Sequence, residues 1–379
     1  MQAPLKGCPT KRMARKLKSD KVLFITTILL VALSVVMVYS ASAAVALDRY
    51  GLASRYLMTQ AMWAALGIAM LYVVMRIDYR CYREPVFIWT CLALVSLGLI
   101  AVYFRAPING ARRWLGVGGI GVQPSELAKL AAIFFIAAHL ERRGRRIDDL
   151  AYGVLPVVVV VLGLVGLILP EPDFGTSMSV LLIAAVMVFA AGLNYRYIAG
   201  AALLAVPALY IVVMGSPYRR RRTLAFLNPW EDPLGDGFQI IQSLIAVGTG
   251  GISGKGLMNG VQKLFYLPEP HTDFIYSVIA EELGLLGATA VVLCFCVMTW
   301  RGLRVATNAE DPFGGYLALG LTTMIAAQAF INISVVLGLM PTKGLPLPFV
   351  SAGGSSLLIN LVGMGILLNV SQHTSSAEA

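Results

Sequence analysis

The chain has 379 residues, 58% of them hydrophobic and only 13% charged, with a formal net charge of +10. Soluble domains run near about 45–50% apolar and about 25% charged, so an ordinary soluble enzyme is excluded. The apolar runs are too long for barrel strands, and helices satisfy their own backbone in lipid, which leaves an all-α integral membrane protein.

Residues 1–21 form a basic tail carrying Lys6, Lys11, Arg12, Arg15, Lys16, Lys18 and Lys21. "SASAA" at 40–44 imitates a leader cleavage site. The apolar stretch from Val22 to Val38 is long for a leader, however, and similar runs follow, so it reads as an uncleaved first span. Ten transmembrane helices are expected, at about 22–42, 56–75, 85–104, 124–140, 151–170, 176–192, 197–214, 274–300, 313–336 and 353–370. Each is close to the ~20 residues that cross ~30 Å of hydrocarbon. Together they make one polytopic domain over 22–372, with 373–379 as a short second tail.

Most Lys and Arg fall between the apolar runs, where they orient a membrane protein, so no nucleic-acid partner is expected. The short loops "RIDYRCYRE" (76–84), "ERRGRRIDD" (141–149) and "RGLRVATNAED" (301–311) are basic. With ten spans they share the cytoplasmic side with both termini. The opposite face then holds 105–123, "EPDFG" (171–175), a large loop over about 215–273 between spans seven and eight, and 337–352. "RRRR" at 219–222 runs against this orientation, but the positive-inside rule is weak for loops of about 60 residues. Within that loop "FQIIQSLIAVGTGG" (238–251) has helical apolar spacing and is expected to be ordered and partly embedded. The five cysteines, Cys8, Cys81, Cys91, Cys294 and Cys296, all avoid the outer loops, so no disulfide framework is expected.

Four polar clusters fall on the outer face. In "QPSELAKL" (123–130) a helix starts at Pro124 and Ser125, and Glu126 and Lys129 share one face, as a structural ion pair or as functional groups. "LPEPDFGTS" (169–177) offers Glu171 and Asp173 in a turn and helix cap. "YLPEPHTDF" (266–274) puts Glu269, His271 and Asp273 at the mouth of a long apolar run. Thr272 or Asp273 could cap that helix, or a partly desolvated carboxylate there could act as a general base. The spacing of the three matches no strong metal signature. Deeper in the same run, Glu281 and Glu282 require that at least one face the protein interior. In "LMPTKGLPLPFVSAGGSS" (339–356), prolines and a double glycine make a rigid loop whose Lys343, Ser351, Ser355 and Ser356 can bind an anion. With Arg112, Arg113, Arg219 to Arg222 and Lys263, this face has an excess of cations that would suit a diphosphate-bearing lipid, a soluble acidic partner or surface phospholipid, and residue types alone do not choose among them.

The stretches "GARRWLGVGGIGVQPSELAKL", "NPWEDPLGDGFQIIQSLIAVGTGG", "KLFYLPEPHTDFIYSVIAEELG" and "KGLPLPFVSAGGSS" occur in the order found in the SEDS family (shape, elongation, division and sporulation), the group of RodA, FtsW and SpoVE. The resemblance runs from about Val22 to Gln372, and "ARRW" and "NPW" resemble the division-type FtsW branch more than the RodA elongation branch. Ala352 departs from the family's "SYGGSS". The resemblance implies a peptidoglycan glycosyltransferase of the bacterial inner membrane. It would polymerise lipid II on the outer face and release undecaprenyl diphosphate. It carries the essential aspartate to Asp273 and the paired acid and base to Glu126 and Lys129; Arg112, Arg113 and the "KLFYLPE" segment with Lys263 and Glu269 are further substrate-binding candidates. It also implies a class B penicillin-binding protein as transpeptidase partner, membrane lipids and polyprenyl-linked glycan around the site, and no organic cofactor; a divalent cation, Mg²⁺ or Mn²⁺, is a candidate. A lipid II flippase with Glu281 and Glu282 along its path, and a scaffold that needs no Asp273, are the alternatives.

Overall fold

The computed structural model describes residues 19–105, 112–117, 120–144, 149–171, 173–215, 217–342 and 344–374. Twelve helices occur among them: α1 (Lys21–Tyr50), α2 (Arg55–Val74), α3 (Pro85–Val102), α4 (Pro124–Arg143), α5 (Leu155–Ile168), α6 (Phe174–Ala190), α7 (Tyr195–Met214), α8 (Pro217–Leu227), α9 (Phe238–Gly250), α10 (Ile275–Thr307), α11 (Pro312–Val336) and α12 (Gly354–Ser371). All ten expected spans coincide with one of them. Among the described residues, seven stretches are long and apolar enough to cross a membrane. The apolar helix α6 has 17 residues, and α4 carries an ion pair at its head.

Local signals set the helix ends. Asp20 caps α1 by accepting from the Val22 and Leu23 amides, and Gly51 closes it in the left-handed region. Proline stands in the first turn of α3, α4 and α11, where no amide is needed. A small hairpin, β1 (Leu115–Val117) against β2 (Ile120–Val122), leads into α4. The helices α4, α11 and α12 are buried on most sides and form the centre of the bundle.

Polar contacts sort into two ends. At one end Asp20 meets Arg301 (2.7 Å), Arg80 meets Glu310 and Asp311 (3.0 and 3.3 Å), and Arg83 meets Glu141 (2.9 Å). These are the loops expected on one side from their charge. At the other end Ser125 reaches Asp173, Arg113 reaches Glu171, and Ser351 reaches Thr272.

The large loop is built mostly of helix and tight turns: α8 carries the arginine run and α9 covers the apolar stretch. The expectation of an unbroken span from 274 is corrected. Gly284, at φ 68°, ψ −165°, breaks α10, and a Cβ there would lie 2.3 Å from the Gly254 amide. The segment 251–256 supplies the missing backbone partners. Lys255 and Gly256 donate to the carbonyls of Glu281 and Glu282, and Leu285 and Leu286 donate to Gly251 and Ile252. Irregular backbone at membrane depth is tolerated where protein covers it in this way. Of the cysteines, Cys91, Cys294 and Cys296 are free. Cys81 lies in the 3₁₀ turn Tyr79–Arg83, outside the spans.

Candidate active site

Asp273 sits where the entrance to α10 meets the proline-rich loop before α12. Asn332 of α11 binds both, donating to the carbonyls of Asp273 and Leu345, each at 2.8 Å. One turn away Gln328 donates to the Pro346 carbonyl at 2.8 Å. The Ser351 hydroxyl donates to the Thr272 carbonyl (2.6 Å) and accepts from the Leu347 amide (2.7 Å), while the Ala352 amide donates to the His271 carbonyl (2.9 Å). The backbone carrying Asp273 is therefore held on several sides, as a preorganised catalytic group requires.

The carboxylate itself is not a cap, because α10 is entered through Phe274 with no side-chain cap bond. Partial burial pushes Asp273 up to about 6; Glu269 adds to the rise, whereas Arg222 and Arg113 oppose it. Gly344 lies between acid and base. A Cβ at Gly344 would be 3.4 Å from Asp273 Oδ2 and 3.8 Å from an Arg113 guanidinium nitrogen. A side chain at this position would touch both the carboxylate and the cation.

Arg113 is fixed from behind, its Nε donating to the Glu171 carbonyl at 3.1 Å. Both carboxyl oxygens of Glu171 are buried without a hydrogen-bond partner. Desolvation, then the nearby Asp173 charge, push Glu171 up to about 8 against the pull of Arg113, so it is a neutral acid at pH 7. Asp173 is the helix cap expected from the sequence and more. It accepts from the Thr176 amide and hydroxyl, from Ser125 (2.9 Å) and from Gln123 (2.8 Å), tying α6 to α4.

Glu126 and Lys129 pair as their spacing predicts, at 2.9 Å and fully buried. Lys129 also donates to Gln328 Oε1 at 2.7 Å. The pair thus acts on the proline loop through Gln328, one residue away from the loop backbone.

Several expected binding groups are elsewhere or otherwise engaged. Lys263 is buried and bonded to Glu282 (2.6 Å) and Ser40 (2.8 Å). Glu281 is likewise spent on Lys255 and on the amides of Val261 and Gln262. His271 packs against Tyr56 with ring centroids 4.6 Å apart; burial lowers its pKa, and Glu269 lies 3.8 Å away, half exposed. Ser351 is consumed as a backbone staple. Ser355 is buried with a hydroxyl that has no partner. Arg112 is exposed and donates to the Tyr103 carbonyl. In α8, Arg220 and Arg221 are exposed and Arg222 is half-buried; the Arg219 side chain and Lys343 lie outside the described residues. Gln328 and Asn332 escaped the sequence reading. Two amides four residues apart in an apolar span are the signal that finds them.

Among the described residues, no three acidic, His or Cys side chains converge as a metal cage. Two carboxylates act on Asp273: Glu269, which is half exposed, and Asp173, which already accepts from four donors. The cations that act on the Asp273 carboxylate are the guanidinium groups of Arg222 and Arg113.

Residues 20–376 match the cell cycle protein family of FtsW, RodA and SpoVE. A relative from Geobacter metallireducens, described as a probable peptidoglycan glycosyltransferase FtsW, is 47% identical over 355 residues, covering 93% of this chain and 94% of the relative. Stage V sporulation protein E of Bacillus subtilis is 41% identical over 365 residues, 95% of this chain and 99% of its own. A solved structure described as the structural coordination of polymerization and crosslinking by a peptidoglycan synthase complex contains a chain that aligns with a TM-score of 0.78 and 31% identity. The alignment covers 95% of this chain and 99% of that one.

Proposed function

The chain belongs to the FtsW, RodA and SpoVE family of integral membrane proteins, and from that premise we propose that it is a peptidoglycan glycosyltransferase that polymerises lipid II. Relatives that carry an FtsW or SpoVE name favour the division and sporulation branch over the elongation branch. The observation that carries the catalytic assignment is Asp273: an uncapped, partly buried carboxylate, raised to about 6, with Arg113 beside it at Gly344 and the Arg222 charge acting on it.

Asp273 takes the proton from the 4-hydroxyl of the acceptor GlcNAc. The freed oxygen forms a bond to the donor sugar's anomeric carbon as the bond from that carbon to the diphosphate oxygen breaks, with inversion. Negative charge gathers on the departing polyprenyl diphosphate, and Arg113 and Arg222 are the cations nearest to receive it. Glu126, Lys129 and Gln328 shape the proline loop that walls the site. The reacting sugars lie in water on the extracytoplasmic face while the lipid tails lie between helices, which is why the acid stands at a helix mouth. A class B penicillin-binding protein is the partner this activity calls for, and the complex of polymerisation and crosslinking seen for a structural relative supports it.

Purified protein given lipid II and its cognate transpeptidase should make glycan polymer visible on a gel, and Asp273→Asn under the same conditions should make none. Polymer of normal length and rate from the variant removes Asp273 as the base. The face is read separately. Asn259, exposed in the large loop, replaced by Cys in a cysteine-free background should react with an impermeant maleimide in intact spheroplasts. Labelling only after lysis would place the site inside. A transport reading loses support, because Glu281 and Glu282 are bonded to lysines and backbone amides.

A further inference from the structure

Far from Asp273, at the end of the bundle where the short basic loops gather, α3, α4 and α5 enclose a crevice of about 570 Å³. We propose that it is a binding site for an anionic glycerophospholipid of the cytoplasmic leaflet. The inference does not rest on the catalytic reading; it uses only the orientation that the basic loops imply.

The crevice exists because α5 starts irregularly. The chain runs as a π turn over Leu150–Val154 before α5, and His139 Nε2 lies 2.9 Å from the Gly153 carbonyl. This contact ties the turn to α4. The inner wall is apolar and aromatic: Trp89 meets Phe135 edge to face at 5.9 Å, and Phe135 stacks on His139 at 5.9 Å. On the outer side Leu155 and Val159 of α5 are 53% and 61% exposed, offering a strip of hydrocarbon to an acyl chain.

Two guanidinium groups stand at the mouth of this trough. Arg142 and Arg143 also line the crevice and are exposed. The neighbouring acid, Glu141, is already taken by Arg83 at 2.9 Å. Arg142 donates to the Arg83 carbonyl at 3.3 Å, and neither Arg142 nor Arg143 has an acidic partner among the described residues. Adjacent cations without acids bind a phosphate through paired charge-assisted hydrogen bonds. Trp89 and Tyr152, 60% and 62% exposed, flank the same opening. Such aromatics sit at the headgroup level of a bilayer, and basic pockets between spans on the cytoplasmic side recognise anionic headgroups. Apolar walls distinguish this from a site for a soluble anion, which would leave the trough empty.

The test is thermal unfolding of the purified full-length protein in neutral detergent. Phosphatidylglycerol should raise Tm by about 5 °C, whereas phosphatidylcholine with the same acyl chains and inorganic phosphate should not. Arg142→Gln with Arg143→Gln should abolish the shift. Val159→Trp, which fills the trough and keeps both arginines, should also reduce it, and it decides the matter if the arginine variant folds poorly. An equal shift in wild type and both variants overturns the proposal, as does a full shift from phosphate alone. Lipid II polymerisation by the same variants reports separately on Asp273.

Discussion

The ammonium group of Lys263 lies 2.6 Å from a carboxylate oxygen of Glu282, and neither side chain reaches solvent. This pair, joined by the Ser40 hydroxyl of α1 at 2.8 Å, fastens the glycine-rich part of the large loop to the broken middle of α10. The Met258 amide bonds the same carboxylate at 3.1 Å. A loop that looks catalytic by its charge is thereby a structural strap.

Lys263→Met should therefore act on stability before it acts on substrate. Removing one partner strands a buried charge, which costs on the order of 3–5 kcal/mol. The double variant Lys263→Met with Glu282→Gln should recover part of that loss, because no charge is left unpaired. Denaturant or thermal unfolding in detergent measures both. A single variant that folds normally yet needs more lipid II for half its maximal rate would return Lys263 to the substrate site.

Asp273 links activity and stability to pH in opposite directions. As a base it works only when ionised, so kcat/KM should fall about tenfold per pH unit below about pH 6 and level off above. Its folded pKa is raised from 3.8, so its neutral form favours folding. That stability is fully present below about pH 3.8 and is lost as pH rises through about 6. Asp273→Asn should be inactive and, at pH 7.5, more stable than wild type by roughly 1–3 kcal/mol, with the gap closing at pH 4. An inactive variant that is also less stable at pH 7.5 points to a structural role.

Glu171 offers the same sign on a different scale. Burial raises it from 4.5 to about 8, so stability held by the neutral carboxyl should drain away as pH climbs across that window. Glu171→Gln keeps the shape and removes the titration. Melting curves of wild type and variant should coincide near pH 4, below the unfolded value of 4.5, and separate by pH 8.5, with the variant higher. Parallel curves at every pH would mean that the carboxyl finds a partner when ionised.

The spans were legible because length and hydropathy are local properties, and the two ends because loop charge is local too. Asp273 and the Glu126–Lys129 pair were legible because each lies in a compact motif. The break at Gly284 was not. "EELGLLGA" reads as helix, and the strap that satisfies its backbone, 251–256, lies about 30 residues earlier in the chain. For the same reason Lys263 looked free, since its partners Ser40 and Glu282 are remote in sequence or one turn from the break. "RRRR" looked uniform, yet in α8 Arg220 and Arg221 are exposed while Arg222 is half-buried and its charge acts on Asp273.

Exchanging the charges of Glu126 and Lys129 should separate what the pair does for folding from what it does for the site. Lys129→Met leaves Glu126 charged and unpaired in a buried position, a loss of about 3–5 kcal/mol. The exchanged double variant, Glu126→Lys with Lys129→Glu, restores a buried pair at the same spacing and should regain much of that stability. It should not regain full activity. Lys129 donates to Gln328 Oε1 at 2.7 Å, which aims the other end of that amide, Nε2, at the Pro346 carbonyl. A carboxylate at 129 needs a donor instead, so Gln328 must turn its nitrogen inward and release Pro346. The proline loop beside Asp273 then loses one of its two bonds to α11, leaving the one from Asn332. The expected result is near-normal melting with polymerisation lowered at least about tenfold, a loss of about 1.4 kcal/mol in the barrier. Gln328→Glu in the lysine-bearing parent, which also removes the donor to Pro346, should reproduce that activity loss. Full activity in both variants would show that the loop holds its place without Gln328.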